Sequence, residues 1–322
     1  MMQLSVIIIN YRTPKLTAQA VASVYASLQK SSPLKNNLEV IVVDNDSQDN
    51  SVATLKALSY PGYKFVASRQ NLGFAGGNNL GFKQATGQYV FFLNSDAMVQ
   101  KGALEALLAF YQEDEQQKKR RHLGLLAAQL LNADGSLQPQ GGDLPNLFTL
   151  LSAQLFLDDL PVVGQLLPSV QHTGRRFNPA AVERDNFLPK GWVAGTAVLI
   201  KRDYFECLGQ WDEHIFMYGE DQELSWRLHR SHLRHGILTT ARVVHLGNAS
   251  AGSKNAIIGE IKGYLYFFAQ HKSALSLFLA KLILWWGVLL RLCLYAWIKK
   301  DAQRRDIYLS ALDVVEQSLM SN

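Results

Sequence analysis

Short apolar runs alternate with helical patterns over the first hundred residues of the chain. The runs are rich in Val, Ile and Phe, as is typical of buried strands, and they occupy residues 4–9, 39–43, 64–67 and 89–93. Helical patterns stand at 14–28 and 77–86, and Pro14 takes a first-turn position in the earlier one. Strands that alternate with helices predict an α/β fold, with a mostly parallel central sheet that carries helices on both faces.

The alternation loosens between residues 101 and 250. Helical patterns appear there at 102–111 and 222–231, and strand patterns at 123–131, 197–200 and 237–244. Residues 146–190 have no clear periodicity. We therefore divide the chain into one half of a domain over 1–100, the other half of the same domain over 101–250, and a C-terminal helical region over 251–322.

An apolar segment of 25 residues, 274–298, contains only Lys281 and Arg291 as charged residues. Its length suffices to cross a bilayer, but each charge near the centre of a membrane helix costs about 2.5–3.5 kcal/mol. The segment contains aromatic residues that suit a membrane interface, namely Trp285, Trp286, Tyr295 and Trp297. Basic residues that suit anionic headgroups come directly after it: Lys299, Lys300, Arg304 and Arg305. We expect the segment to lie on a membrane surface. A helix buried against the domain and a true membrane span are the alternatives.

Composition indicates a globular protein, with 48% hydrophobic residues, 18% charged residues and a net charge of +5. Its two cysteines, Cys207 and Cys293, lie far apart without metal-ligand spacing, which indicates a reducing compartment. The first residues lead directly into a strand pattern, so we expect no secretory signal and a cytoplasmic location. The basic block 118–121 is interpreted as a solvated helix end or loop, and no nucleic-acid partner is expected.

Polar segments follow three of the predicted strands directly, at 10–11, 44–46 and 94–96. In parallel sheets, ligands bind beyond the carboxyl ends of the strands. Asp96 in the Asn94-Ser95-Asp96 segment is placed to hold a divalent cation, which would neutralise a diphosphate leaving group. An isolated Asp after a strand more often forms a turn, so this segment alone is weak support.

Two further motifs lie in the second half of the chain. Glu220 and Asp221 stand at the start of a helical pattern, where one carboxylate can cap the helix while the other faces a cleft as a general base. His245 follows a strand pattern directly and begins His-Leu-Gly. A histidine beside an apolar strand is usually structural, but a neutral imidazole there also binds a cation well.

These segments form one ordered series, which reads SVIIINY at 5–11, VVDNDS at 42–47, NLGFAGGNN at 71–79, NSD at 94–96, WVAG at 192–195, ED at 220–221 and HLG at 245–247. Over residues 3–250 the chain resembles inverting family 2 glycosyltransferases of the GT-A fold, particularly the bacterial rhamnosyltransferase-like branch. The resemblance implies a Rossmann-like nucleotide-binding sheet, with the nucleotide sugar held by residues 1–100 and acceptor binding and catalysis assigned to 101–250.

The resemblance also implies donor-site roles for individual residues. Asp44 would contact the base of the nucleotide, with Asn10 and Tyr11 in the same pocket. The residues that would shape the nucleotide and sugar-phosphate site are Gly73, Phe74 and Asn79.

For the metal site, the resemblance implies that Asp96 binds Mn²⁺ or Mg²⁺ directly and that His245 is a second protein ligand. The family motif begins with Asp where this chain has Asn94. An amide is a weaker cation ligand, so Asn94 is expected to contact the ribose or a water near the cation.

On the acceptor side, the resemblance makes Asp221 the general base that activates the acceptor hydroxyl, with Glu220 beside it. Trp192 and Gly195 would lie near the acceptor cleft. The best-supported donor is dTDP-rhamnose, and a UDP-linked hexose is the alternative. The resemblance implies a saccharide acceptor carried on a lipid, at the inner face of the cell membrane in cell-surface polysaccharide synthesis.

Three other functions compete with this interpretation. A dinucleotide-dependent oxidoreductase is disfavoured because the glycines at 73–77 lack the G-x-G-x-x-G spacing and do not follow the first strand. A processive polysaccharide synthase would carry Gln-x-x-Arg-Trp and several membrane spans, which are missing here. A non-catalytic carbohydrate- or lipid-binding protein is disfavoured by the presence of Asp96, Asp221 and His245.

Overall fold

The structure is a computed structural model, and it describes residues 2–117, 122–160, 164, 167–171, 186–247 and 253–320. The basic block at 118–121 lies outside the described residues. The described strands are β1 (Leu4–Asn10), β2 (Leu38–Asp44), β3 (Tyr63–Ala67), β4 (Tyr89–Asn94), β5 (Ala97–Val99), β6 (Leu123–Leu131), β7 (Phe187–Lys190), β8 (Ala197–Lys201) and β9 (Arg234–His245).

The described helices are α1 (Pro14–Ser27), α2 (Ser51–Lys56), α3 (Gly73–Phe82), α4 (Ala103–Gln116), α5 (Leu147–Gln154), α6 (Arg202–Cys207), α7 (Glu220–Arg230), α8 (Ser253–His271), α9 (Ala274–Cys293) and α10 (Ala302–Met320). A 3₁₀ turn covers Pro33–Asn36, and a π-helical turn, Leu294–Ile298, extends α9. Helix α5 and strand β7 fall in the stretch where the sequence has no clear periodicity.

The sheet is parallel in its first half and mixed in its second. Its strand order is β3-β2-β1-β4-β8-β6-β9-β5, with β7 paired to β9. Strands β1 to β4 pair in parallel as predicted, whereas β8 is antiparallel to both β4 and β6. Strand β6 is parallel to β9, while β5 and β7 run antiparallel to it. Antiparallel neighbours need no crossover helix, which explains why the strand–helix alternation fades after residue 101.

The register of the parallel strands brings three polar segments to one edge of the sheet. Asn10 pairs with Asp44 across β1 and β2, and Ile9 pairs with Asn94 across β1 and β4. The residues that follow these strands therefore start from neighbouring positions, as the sequence predicts for a ligand site.

Helices cover both faces of the sheet, as predicted. On one face, side chains of α1, α2 and α4 join the inner side chains of β1 and β2 in an apolar cluster. On the other face, α3, α6 and α7 pack on the sheet around Phe92 and the fully buried Trp211. Burial on both faces explains why the strands read as continuous apolar runs.

Helix α3 begins at Gly73, four residues before the helical pattern that the sequence shows. Its glycines reflect close packing on β1 rather than a break in the helix. A Cβ added at Gly81 would lie 2.6 Å from Cγ2 of Ile7, and one at Gly77 would lie 3.2 Å from Cγ2 of Ile9. Glycine usually weakens a helix, so tertiary packing overrides local propensity here.

The C-terminal helices pack together with α5 rather than projecting from the domain. Leu150 of α5, Phe268 of α8, Leu284 of α9 and Val315 of α10 are buried in the same apolar cluster. Helix α8 also reaches the main domain, where Trp226 of α7 packs against this cluster.

Helix α9 and its π-helical turn are long and apolar enough to cross a membrane by length and composition, and 22% of this segment's most apolar window is buried. Its two charges face protein: Lys281 donates to the carbonyl of Ser318, and Arg291 donates to the carbonyl of Gln154 at 2.7 Å. The side chains on the open face are apolar and between 42% and 74% exposed: Leu275, Phe278, Trp286, Leu290, Trp297 and Ile298.

Candidate active site

A cleft of about 860 Å³ opens at the carboxyl ends of β1, β2 and β4, a size typical of small-molecule sites. The predicted site residues that line it are Tyr11, Gly73, Phe74, Asn94, Gly195, Glu220 and Asp221. A loop of residues 214–218 closes one side. Helix α8 forms another wall with Asn255, Ile258, Gly259, Lys262, Gly263 and Tyr266.

Asn10 and Asp44 form a buried polar pair beside Tyr11 and Asn45 of the cleft wall, and neither of the two lines the cleft itself. The Asn10 amide donates to Oδ1 of Asp44 at 2.7 Å, and the Ser47 hydroxyl donates to the same oxygen at 2.6 Å. Thr17 donates to Oδ1 of Asn10 at 2.7 Å. Asp44 is 2% exposed, while Tyr11 stands in the cleft wall. The pair thus holds the ends of β1 and β2 together behind the cleft wall, and its contact with a nucleotide base stays a prediction.

Asn45 connects two segments of the cleft wall; the sequence pointed to its segment, 44–46, but assigned Asn45 no role of its own. Its amide nitrogen donates to Oδ1 of Asn71 at 3.0 Å and to the carbonyl of Gly73 at 2.9 Å. Its oxygen accepts from the N–H of Leu72 at 3.0 Å. An amide can donate and accept at once, which a carboxylate cannot. The Asp-Asn-Asp order at 44–46 was the available signal.

Gly73 and Phe74 contact the loop across the cleft. Gly73 has a φ of 70°, and a Cβ there would lie 2.2 Å from the carbonyl oxygen of Phe216. The N–H of Phe74 donates to that oxygen at 2.8 Å. Position 73 thus requires glycine for both its backbone conformation and its close approach to the loop.

Asn79 lies outside the cleft wall, in contrast to its predicted place in the nucleotide site. Its amide nitrogen donates to the carbonyl of Trp211 at 2.8 Å and to Glu213 at 2.9 Å, and its oxygen accepts from the N–H of Trp211 at 3.2 Å. Asp212, between these two contacts in the sequence, accepts from the Tyr266 hydroxyl of α8 at 2.7 Å. Asn79 therefore anchors the start of the loop that encloses the cleft.

Asp96 and His245 come together although 149 positions separate them in the chain. Strand pairing places Ala97 opposite His245, and Oδ1 of Asp96 lies 3.3 Å from Nε2 of His245. Asp96 is 2% exposed. A carboxylate suits Mn²⁺ or Mg²⁺, and an imidazole nitrogen is a further ligand, so this donor pair fits the predicted cation.

The protein supplies only part of a coordination shell at this position. Within the described ranges, no group of three or more His, Cys, Asp and Glu side chains converges to hold a metal. Diphosphate oxygens and water would complete the shell around Asp96 and His245. Asn94 lines the cleft, and its contact with ribose or water stays a prediction.

Glu220 and Asp221 begin α7 directly after Gly219, whose φ is 104°. Asp221 accepts from the backbone N–H of Gln222 at 2.8 Å and from that of Gly195. Burial nevertheless raises the pKa of Asp221 to about 6. Burial, together with the neighbouring Asp221 carboxylate, also raises the pKa of Glu220. A carboxylate in the cleft wall with a raised pKa is a stronger proton acceptor than an ordinary one.

Two glycines let α8 pack directly on the loop before these carboxylates. A Cβ at Gly259 would lie 2.6 Å from Cδ2 of Tyr218, and one at Gly263 would lie 2.4 Å from the Tyr218 carbonyl oxygen. The G-x-x-x-G spacing of Gly259 and Gly263 is visible in the sequence but was not recognised as a packing signal. The same helix brings the exposed Lys262 into the cleft wall.

The two residues predicted near the acceptor cleft have different positions. Gly195 lines the cleft, and its N–H contacts Asp221. Trp192 is 7% exposed and lies outside the cleft wall, where its indole N–H donates to the carbonyl of Val170 at 2.6 Å. This hydrogen bond links the segment before Gly195 to Val170.

Residues 5–117 match the family described as glycosyl transferase family 2. The chain is 24% identical over 269 residues to the N-acetylglucosaminyl-diphospho-decaprenol L-rhamnosyltransferase of Mycobacterium tuberculosis, covering 79% of this chain and 78% of that protein. It is 24% identical over 251 residues to the low-salt glycan biosynthesis hexosyltransferase Agl10 of Haloferax volcanii, covering 75% of this chain and 66% of that protein.

Two solved structures share the fold. The first is S. aureus TarS 1–349, at a TM-score of 0.52 and 16% identity over 98% of this chain and 92% of that one. The second is GalNAc-T7 with UDP, GalNAc and Mn²⁺, at a TM-score of 0.59 and 13% identity over 99% of this chain and 57% of that one. The family match, these relatives and the fold together identify the chain as a glycosyltransferase that carries a family 2 domain on a GT-A fold.

Proposed function

We propose that the chain transfers a sugar from a nucleotide diphosphate to a saccharide hydroxyl with inversion, with Asp221 as the general base. The observation that carries this proposal is the position of Asp221: it lines the cleft, it has a raised pKa, and the strand ends lie across the same cleft. Asp96 and His245 are not among the residues that line the cleft, but Asp96 directly follows Asn94 and Ser95 of its wall, and this pair would hold Mn²⁺ or Mg²⁺ there.

In this reaction the acceptor oxygen attacks the anomeric carbon while its proton passes to Asp221. The bond between that carbon and the diphosphate oxygen breaks, and the nucleoside diphosphate leaves with both electrons. A bound divalent cation would neutralise the charge that develops on the diphosphate. Gly195 and Gln222 hold the Asp221 carboxylate in place through their N–H groups. No covalent intermediate with the protein is required, since one base suffices for inversion.

The donor is proposed to be dTDP-rhamnose. Support comes from the Mycobacterium tuberculosis relative, whose name specifies an L-rhamnosyltransferase. A UDP-linked hexose is the second candidate, because the Haloferax volcanii relative is named a hexosyltransferase and GalNAc-T7 was solved with UDP.

The acceptor is proposed to be a lipid-linked saccharide at the inner face of the cell membrane, in cell-surface polysaccharide synthesis. The Mycobacterium tuberculosis relative is named for a decaprenol-linked N-acetylglucosamine. The open apolar face of α9, followed by Lys299, Lys300, Arg304 and Arg305, supports binding to anionic lipid.

Ligand-induced thermal stabilisation tests the donor. Saturation at about 100 times Kd stabilises a fold by about 2.7 kcal/mol, so the true donor raises the unfolding temperature clearly. With Mn²⁺ present, dTDP-rhamnose should raise it more than dTDP or UDP-hexoses do. Stronger stabilisation by a UDP-hexose than by dTDP-rhamnose would assign the donor to the alternative.

Asp221→Asn tests the base. The amide cannot take a proton, so turnover should fall by about 10²–10⁴-fold while the donor-induced thermal shift is kept. Asp313→Asn, an exposed carboxylate on α10, is the matched control and should remain fully active. Full activity in Asp221→Asn would show that another group acts as the base.

A further inference from the structure

Gln138 joins His245 to the turn that follows β6. Its Oε1 lies 2.7 Å from Nδ1 of His245, and its amide nitrogen donates to Oδ1 of Asn132 at 3.0 Å. Asn132 in turn donates to the Ser136 hydroxyl at 2.9 Å, and Ser136 donates to Asp134 at 2.6 Å. A continuous line of hydrogen bonds therefore connects Asp134 to His245.

The bond between Ser136 and Asp134 fixes which atom donates in every other hydrogen bond of this line. The ionised Asp134 only accepts, so the Ser136 hydroxyl gives it the hydrogen and must accept from the amide nitrogen of Asn132. The oxygen of Asn132 then accepts from the amide nitrogen of Gln138. Oε1 of Gln138 is left facing Nδ1 of His245, and this nitrogen donates to it.

The direction of this last bond decides which imidazole nitrogen is available to a cation. Nδ1 carries a hydrogen and points to Gln138, so Nε2 is the nitrogen directed at Oδ1 of Asp96, 3.3 Å away. The backbone supports the same arrangement, because the N–H of Leu246 donates to the carbonyl of Asp96 at 3.1 Å. Gly247 follows at a φ of 64°, and a Cβ there would lie 3.6 Å from the Gln138 amide nitrogen.

We propose that Gln138 is a positioning residue for the cation site: it holds the His245 ring so that Nε2 faces Asp96. This inference rests on the proposed function, in which Asp96 and His245 bind the cation. Gln138 itself touches neither cation nor substrate. Partners that orient a metal-binding histidine typically change metal affinity by about 10–100-fold.

Mn²⁺ binding, measured by the electron paramagnetic resonance of free Mn²⁺ in the presence of dTDP or UDP, is the test. Gln138→Leu removes the acceptor and should weaken Mn²⁺ binding about ten-fold or more. Gln138→Glu keeps an acceptor oxygen opposite Nδ1 but loses the amide N–H to Asn132, and it should stay within about three-fold of wild type. Gln84→Leu, an exposed glutamine after α3, is the control and should bind Mn²⁺ normally.

The unfolding temperature of each variant without metal shows whether Gln138 orients the His245 ring or only contributes to the stability of the fold. The proposal requires Gln138→Leu to lose Mn²⁺ affinity while its metal-free unfolding temperature stays within about 2 °C of wild type. Unchanged Mn²⁺ affinity in Gln138→Leu, or equal loss in Gln138→Leu and Gln138→Glu, would overturn it. So would a loss of affinity matched by a large fall in the metal-free unfolding temperature.

The variants His245→Ala and Asp96→Asn distinguish the failure of this inference from failure of the proposed function. If both abolish Mn²⁺ binding and Gln138→Leu does not weaken it, only the role of Gln138 is wrong. If neither changes Mn²⁺ binding, or if the wild-type chain binds no Mn²⁺ with either nucleotide, the proposed cation site is wrong and the role of Gln138 is overturned with it.

Discussion

Gly263 of α8 lies directly against the backbone of Tyr218, so that a Cβ at position 263 would stand 2.4 Å from the Tyr218 carbonyl oxygen. Tyr218 itself has a φ of 71° and is followed by Gly219, Glu220 and Asp221. The C-terminal region is therefore part of the cleft through α8, which holds the loop that leads into the carboxylate pair.

Gly263→Ala should reduce transferase activity by ten-fold or more, because a methyl group cannot fit and the loop at Tyr218 must shift; a misplacement of about 1 Å can cost 10²-fold in rate. Steady-state kinetics is the measurement. Gln270→Ala, at an exposed position of α8, is the control and should be unaffected. Wild-type activity in Gly263→Ala would mean that the loop position does not control the reaction.

The rate should depend on pH through Asp221. Burial raises its pKa to about 6, and only the ionised carboxylate accepts a proton. Turnover should therefore be maximal above pH 7 and fall as pH drops through about 6, as a pH–rate profile at saturating substrate would show. A profile that stays flat down to pH 5 would contradict the assignment of Asp221 as the base.

Asp221→Asn should raise the unfolding temperature at pH 8. A carboxyl whose pKa is raised on folding is protonated more readily in the folded state, so its ionised form opposes folding above that pKa. The neutral amide removes this cost, and the stabilisation should shrink as pH falls below the folded pKa. Calorimetry at pH 8 and pH 5 measures the difference, and greater stabilisation at pH 5 than at pH 8 would contradict the explanation.

The open face of α9 should bind anionic vesicles. Lys299→Ala with Lys300→Ala removes two cations, each contributing about 1 kcal/mol near an anionic surface, so binding should weaken by roughly 30-fold. Phe278→Ser with Trp286→Ser should weaken it through lost apolar burial. Flotation with phosphatidylglycerol-containing vesicles is the measurement.

Leu309→Ser, an exposed position of α10, is the control for vesicle binding. Failure of the wild-type chain to float would favour the alternative in which α9 serves only as a packed helix. Removal of α9 and α10 is a poor test, because both helices help to bury Phe268 and its neighbours on α8.

The strand ends of the first half were predictable from the sequence because parallel strands place successive carboxyl ends at one edge. The polar residues after β1, β2 and β4 therefore had to meet, whatever the details of packing. The pairing of Asp96 with His245 was expected only through family resemblance, since it depends on β5 and β9 being neighbours.

The direction of a polar side chain could not be predicted in the same way. Asn79 was expected in the nucleotide site, but its amide contacts Trp211 and Glu213, and this choice depends on where a distant loop passes. Trp192 likewise contacts Val170, in a stretch without periodicity. The α8 wall was missed because the expectation for the C-terminal region rested on the apolar segment 274–298, which forms α9 and its π-helical turn, and no contact between α8 and the loop 214–218 was expected.

Helix α8 lies between two surfaces, since one side lines the cleft and the other packs on α9. Packed helices lie about 8–10 Å apart. With α9 resting on lipid, the wall that carries Lys262 would stand roughly one helix diameter above the headgroups. The distance of the acceptor sugar from the membrane would then decide which acceptors bind. A sugar close to its lipid carrier would enter the cleft, and the end of a long glycan would extend past it.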